Sequence, residues 1–262
     1  VYVAPGQYDE FYNFVSGGFN GQMAVYGLPS GRLFRNIPVF SVNPESGYGY
    51  SEETKAMLNT SHGFVPWDDL HHPALSTTKG EHDGRWLFGN ANNTPRVGRI
   101  DLTTFRTVEI IEIPNSGGNH SSPFITENTE YVVAGTRFSV PLGENRDVPI
   151  SSYKENFKGS ISFIKVNPET GRMNIEFQLR TPGFNYDLSR AGKGPSHGWF
   201  FFSCYNTEQA YTLLEVNASR NDKDFIMAVN WKKAEEYLAQ GKGKKEKVRY
   251  AHNVYDEKTH TA

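Results

Sequence analysis

The sequence predicts an all-β fold, and three observations predict it: the residue composition, short apolar runs bounded by turn residues, and a turn signature that recurs loosely along the chain. Phe (18), Tyr (14), Gly (25) and Pro (14) are plentiful among the 262 residues while Leu is sparse. That mixture favours pleated strands and sharp turns over packed helices. A chain of this length can bury a substantial core without dividing in two, so 1–262 reads as one continuous portion of a domain.

The expected strands are Gln22 to Tyr26, Arg85 to Gly89, Arg96 to Leu102, Thr107 to Ile113, Tyr131 to Val140, Ser160 to Val166, Asn174 to Leu179, Trp199 to Cys204 and Phe225 to Val229. The clearest hairpin joins Ile161–Val166 to Met173–Gln178 through Asn167-Pro168-Glu169-Thr170-Gly171. Proline fixes φ early in that loop and glycine permits a positive φ at its end. Similar punctuation occurs at Val42-Asn43-Pro44-Glu45-Ser46-Gly47, and in looser form at Ile100-Asp101-Leu102-Thr103-Thr104. The intervals are uneven, so the pattern is a degenerate repeat with insertions. A propeller with embellished loops fits it better than regular repeats of about 40 to 45 residues. One helix is expected, Trp231 to Gln240, stopped by Gly241, and the Lys-rich stretch that follows reads as a solvated loop. Ala251 to Ala262 holds no strand, cap or closing element, whereas a propeller fastens its last blade to its first. The expectation is therefore a chain that supplies only the first several blades.

Composition also excludes functions. Lys+Arg 27 against Asp+Glu 29 gives a formal net charge of −2, so there is no basic field to hold a nucleic acid. Cys204 is the only cysteine, which rules out an intrachain disulfide framework and any four-thiolate metal site. No apolar run reaches the roughly 18 residues of a membrane span. Val1 to Gly6 lack the pattern of a signal peptide, so the expectation is either a cytosolic protein or one whose leader has been removed. No Gly-x-Ser-x-Gly elbow or Walker loop occurs.

Three stretches could carry chemistry. In Asp69-Leu70-His71-His72-Pro73, neighbouring side chains of a regular strand would point to opposite faces, so two adjacent histidines share one metal centre only where the backbone leaves strand geometry. Imidazole suits copper and zinc, and a metal-bound histidine usually gives its other ring proton to a carboxylate or carbonyl. Asp69 is the candidate for that supporting role. His120 lies in the small-residue loop Asn115-Ser116-Gly117-Gly118-Asn119-His120-Ser121-Ser122-Pro123. Glycine allows close approach to a cofactor and equally marks an ordinary connection. The third stretch, Cys204-Tyr205-Asn206-Thr207-Glu208 followed by Ser219 to Asp224, offers the oxygen donors a hard cation such as Ca²⁺ requires, or is simply a solvated acidic loop. Taken singly, each stretch leaves both readings open. His62, His82, His197, His252 and His260 stand alone and read as surface or hydrogen-bonded structural residues. Cys204, after Phe200-Phe201-Phe202, reads as a buried, inert thiol. Asn-x-Ser/Thr matches at Asn59, Asn92, Asn119 and Asn217 arise easily by chance in such a chain.

Together the segments resemble nitrous oxide reductase, from near residue 3 to about residue 240. Ala4-Pro5-Gly6-Gln7-Tyr8-Asp9-Glu10-Phe11-Tyr12, Ser16-Gly17-Gly18 and Arg35-Asn36-Ile37-Pro38-Val39-Phe40 are similar to the start of that family's mature propeller domain. Asp69-Leu70-His71-His72-Pro73 is similar to its Asp-x-His-His-Pro segment, and Cys204-Tyr205-Asn206-Thr207-Glu208 to its Cys-Tyr-Asn-Ser-Glu segment. Gly18-Phe19-Asn20-Gly21 and the Lys-rich tail look closer to the divergent branch exported by the general secretory route.

The resemblance implies a seven-bladed β-propeller and a sulfide-bridged tetranuclear copper cluster bound by seven histidines. His71, His72 and His120 match the first three of them; the other four, and a cupredoxin domain with a binuclear copper site, would lie beyond Ala262. Tyr205, Glu208, Ser219 and Asp224 match the positions of a structural Ca²⁺, with Asp222 as the alternative to Asp224. The implied reaction is the two-electron reduction of N₂O to N₂ and water, a step of denitrification. The implied setting is periplasmic, in a head-to-tail homodimer fed by an electron-donor protein such as a c-type cytochrome or cupredoxin. Two rival readings of the residues are a calcium-dependent propeller hydrolase and a non-catalytic propeller scaffold.

Overall fold

Alternation of side chains along a strand gives each sheet two faces, and this chain buries both faces of its inner sheets. In the computed structural model, which describes residues 2–120, 124–137, 140–141, 153–182, 185–205 and 225–245, four antiparallel sheets follow one another in chain order. The first comprises β1 (Phe11–Ser16), β2 (Gln22–Leu28) and β3 (Leu33–Pro38). A short helix, α1 (Glu52–Met57), and the small pair β4 (Asn59–Thr60) and β5 (Gly63–Phe64) lead to the second sheet. That sheet comprises β6 (Leu70–Thr78), β7 (Glu81–Ala91), β8 (Arg96–Asp101) and β9 (Arg106–Glu112). The third comprises β10 (Phe124–Ile125), β11 (Tyr131–Gly135), β12 (Val140–Pro141), β13 (Phe157–Val166) and β14 (Met173–Pro182), with the one-turn helix α2 (Tyr153–Asn156) entering β13. The fourth comprises β15 (Asn185–Ala191), β16 (Trp199–Tyr205) and β17 (Phe225–Asn230), followed by α3 (Trp231–Ala239).

Each junction between successive sheets has its own core. Met23, Val25, Ile37, Phe40, Leu70 and Leu87 fill the first, and Trp86, Phe88, Val97, Val132, Ile164 and Met173 the second. The third is aromatic: Tyr131, Phe163, Phe177, Phe200, Phe202 and Trp231, with Phe163 and Phe177 stacked at 4.7 Å. Period-two alternation divides the strands between these cores, so Leu87 faces the first sheet and Phe88 the third. Likewise Val132 and Val133 of β11 point to opposite sides. The first strands of successive sheets, β1, β6, β10 and β15, lie beside one another. This all-β stacking is consistent with a β-propeller.

The recurring turn signature has a physical basis. The side-chain oxygens of Asn43, Asp101 and Asn167 each accept a backbone N–H from two or three residues further on: Ser46, Thr103 and Thr104, and Glu169 and Thr170, at 2.7–3.1 Å. Gly171, which ends the β13–β14 loop at φ +72, could not be replaced there, because a Cβ would lie 2.5 Å from the Trp86 ring. The predicted helix forms within a residue of its expected end, with the Asn230 side chain accepting from Lys233 N at 2.9 Å. Two expectations change. The strand expected over Tyr131 to Val140 ends at Gly135, after which Thr136 bridges to Asn119 and bonds Ser160 through its hydroxyl. The His71–His72 segment, expected to leave strand geometry, does so inside a strand, through a bulge in β6.

Candidate functional site

The site begins with the residue that fixes the entry to β6. Asp68 is buried and accepts hydrogen bonds from Asp69 N at 2.6 Å, Thr94 N at 2.8 Å and Asn93 N at 3.1 Å, and from the Thr94 hydroxyl. The buried Arg96 guanidinium lies 3.6 Å away and stacks over the Phe40 ring. Burial pulls the pKa of Arg96 down, and the charge of Asp68 opposes that pull. On the other side Leu70 N donates to Gly18 O at 2.9 Å, so the chain enters β6 held from both flanks.

Within β6 the register changes. His71 pairs with Asn90 and Ala74 with Phe88, which leaves His72 and Pro73 opposite Gly89 alone. His72 takes φ +46, the left-handed region that only a bulge or turn supports, and Pro73 has no N–H to give a ladder. The usual alternation is thereby lost, and the rings of His71 and His72 stand 5.3 Å apart. His120 arrives from the loop after β9. Ser116 Oγ donates to Gly118 O at 2.7 Å and Arg137 N to the same carbonyl at 2.8 Å, shaping the turn that delivers it. Its ring lies 5.4 Å from His71 and 4.8 Å from His72. Three imidazoles from two distant stretches thus form one triangle, with His72 Nε2 and His120 Nδ1 buried.

Asp69 sits directly behind this triangle. It is 1% exposed; Oδ1 lies 2.9 Å from His71 Nδ1, and Oδ2 accepts from Asn92 Nδ2 at 2.9 Å. A carboxylate can only accept, so in that bond the imidazole proton is on Nδ1 and the lone pair is on Nε2. Among the described residues no group of three or more His, Cys, Asp or Glu side chains is placed to hold a single metal ion.

Of the proposed calcium positions, Glu208, Ser219 and Asp224 lie outside the described residues, as does Asp222, and Tyr205 is placed only as the last backbone position of β16, opposite Asn185. The side chain of Cys204 also lies outside them. His197 is a structural residue, with Nε2 2.8 Å from Glu130 Oε1 and Nδ1 3.1 Å from Lys232 Nζ. His62 bonds Ser61 at the surface, and His252 and His260 lie outside the described residues. Sequence reasoning missed Asp68, Asn90, Asn92 and Arg96. For the two asparagines the signal was the amide-rich run Asn90 to Thr94, which follows the apolar stretch Trp86-Leu87-Phe88 after Gly89. Asn92 is 4% exposed and turned onto Asp69, which agrees with reading its Asn-x-Thr match as chance.

No protein-family profile matches the chain. It is 32% identical over 246 residues to the nitrous-oxide reductase of Pseudomonas fluorescens, covering 92% of this chain and 36% of that protein. To the nitrous-oxide reductase of Stutzerimonas stutzeri it is 32% identical over 230 residues, covering 87% and 34%. The chain thus spans about a third of the length of these curated relatives. Among solved structures, Kuenenia stuttgartiensis hydrazine synthase aligns with 74% of this chain and 48% of its own at 14% identity and a TM-score of 0.47, too loose a likeness to carry an argument.

Proposed function

We propose, from the premise that this chain is a homologue of the nitrous-oxide reductases, that it forms part of the copper-binding face of a seven-bladed propeller. In this reading His71, His72 and His120 are three of the histidine ligands of a sulfide-bridged tetranuclear copper cluster. One observation carries it: rings from β6 and from the loop after β9 converge to 4.8–5.4 Å of one another. The donor set fits the group. Imidazoles suit copper, and a polynuclear centre takes donors that surround it without aiming at one point. Bound there, such a cluster would supply the coordination and electrons for N₂O + 2H⁺ + 2e⁻ → N₂ + H₂O.

The residues of this chain orient and insulate. Asp69 fixes the tautomer of His71 and turns Nε2 outward as the ligating atom, which also raises its basicity. Asn92 holds Asp69 from behind, so the carboxylate cannot rotate away from the ring. The bulge at His72 and Pro73 brings both neighbouring rings to one side. The remaining histidines, the binuclear copper site, a Ca²⁺ bound through Tyr205, Glu208, Ser219 and Asp224, and a head-to-tail homodimer belong to the same proposal. So does an extracytoplasmic location with an external electron-donor protein.

Metal analysis of the full-length protein separates the readings. Copper with inorganic sulfide supports the reductase, calcium alone the hydrolase, and neither metal the scaffold. Within the reductase reading, His71→Ala is expected to lower copper occupancy and abolish N₂O turnover. Full copper content and activity in that variant would overturn the assignment.

A further inference from the structure

We propose that Asn90 is a positioning residue that sets the placement of His120 against His71, acting with the backbone of Ala91 and Asn92 at the end of β7. This inference rests on the copper reading above. His71 and His120 are far apart in sequence, one in β6 and the other in the loop after β9, so the triangle needs something that touches both. The end of β7 does. Asn90 is the cross-strand partner of His71. Its Nδ2 donates to the carbonyl of Asn119, the residue immediately before His120. Ala91 O accepts from Asn119 N at 3.3 Å, so the same peptide segment is gripped on both sides. Asn92 N donates to Asp69 O at 2.9 Å and its side chain to Asp69 Oδ2 at 2.9 Å, tying in the carboxylate that orients His71.

Asn90 is 0% exposed in a strand that otherwise carries Trp86, Leu87, Phe88 and Ala91 into the cores. Its Oδ1 is buried with no hydrogen-bond partner among the described residues. A buried amide with an unsatisfied oxygen costs stability that an apolar side chain would not. The amide is kept there for its donor, and that donor goes to the His120 segment.

The test uses the full-length protein, copper titrated into the metal-free form, and the electron paramagnetic resonance spectrum of bound copper. Asn90→Ala is expected to weaken copper binding about ten- to a hundred-fold and to alter the spectrum. Asn90→Ser, which keeps a shorter donor, should recover part of that affinity, and it stands in should the alanine variant fail to fold. Ser76→Ala is the control. It removes another fully buried polar side chain, at the far end of β6 where it bonds Asp83 and Trp86 N, so it should lower the melting temperature while copper affinity and spectrum stay as in the unaltered protein. Equal loss of copper in the Asn90→Ala and Ser76→Ala variants, or retention in both, overturns the proposal. His120→Ala distinguishes the two levels of failure: if it too binds copper with full affinity and an unchanged spectrum, the copper reading itself has failed.

Discussion

His71 stands at the start of β6, whereas His197 is tied to the turn beyond its far end through Glu127, whose carbonyl accepts from Gly80 N at 2.9 Å. Each imidazole lies within 2.9 Å of one carboxylate, yet the two sites are built for different ends. At His71 the carboxylate takes Nδ1, and the next neighbours are two further imidazoles. At His197 the Lys232 ammonium, which can only donate, takes Nδ1, and Nε2–H is directed to Glu130. A ligand needs a lone pair, and His197 has already given its own to Lys232. Hydrogen bonds to Glu130 hold its carboxyl below the usual range, against the rise that burial alone would cause, so the partner of His197 stays charged. Residue type alone does not make a histidine available as a ligand; what occupies its second nitrogen decides.

The largest expected effect tests whether the end of β6 that carries His71, the proposed copper end, is rigid by itself. Asp68→Ala leaves Arg96, whose side chain is 1% exposed, as an uncompensated buried charge and releases the amides of Asp69, Asn93 and Thr94. Unfolding in denaturant should show a loss of about 3–5 kcal/mol. A loss under about 1 kcal/mol would mean that the entry to β6 is not held by this pair. Replacing Asp68 and Arg96 together with apolar residues should recover much of the loss, since the cost comes from stranding one charge.

At the other end, His197→Ala removes the link between the Glu127–Glu130 turn and Lys232, and uncovers one edge of Trp231. The expected cost is about 1–2 kcal/mol with copper content unchanged. Copper lost in proportion to His197 would erase the distinction between the two histidine environments.

The difference also explains what could be read from sequence. Strand-rich composition, the β13–β14 hairpin and α3 were legible because alternation, Asn-Pro-x-x-Gly chemistry and a glycine stop are local signals. β1 and β3 were not, because Phe11, Val15, Leu33 and Phe34 are apolar yet exposed: β1 alternates only between exposed and half-buried positions, and β3 does not alternate. β15 was hidden by few apolar residues and an irregularity between Asp187 and Ser189. At the site, the histidine pair and the need for a backbone departure were visible, and so was Asp69. The β7 amides were not, because their role exists only where β7, the Asp69 segment and the His120 loop meet, a juxtaposition no short window contains.

The smallest effect sharpens the structural end of β6. Asp83 accepts from Thr78 Oγ1 at 2.9 Å, from Arg85 Nε and Nη2 at 3.0 and 2.9 Å, and from the Ser76 hydroxyl. Burial alone would raise its pKa, but these donors win and hold it at about 2, against an ordinary 3.8. A carboxyl whose pKa is lower in the folded than the unfolded chain contributes stability that is fully present above the unfolded value and is lost as pH falls through the folded one. The contribution should therefore be complete above pH of about 4 and vanish as the pH approaches about 2. Asp83→Asn should cost about 1 kcal/mol at neutral pH, screened by solvent around Arg85, and converge on the unaltered protein in acid. A stability difference that stayed constant across that window would show that the hydroxyl contacts, which an amide can partly replace, matter more than the charge.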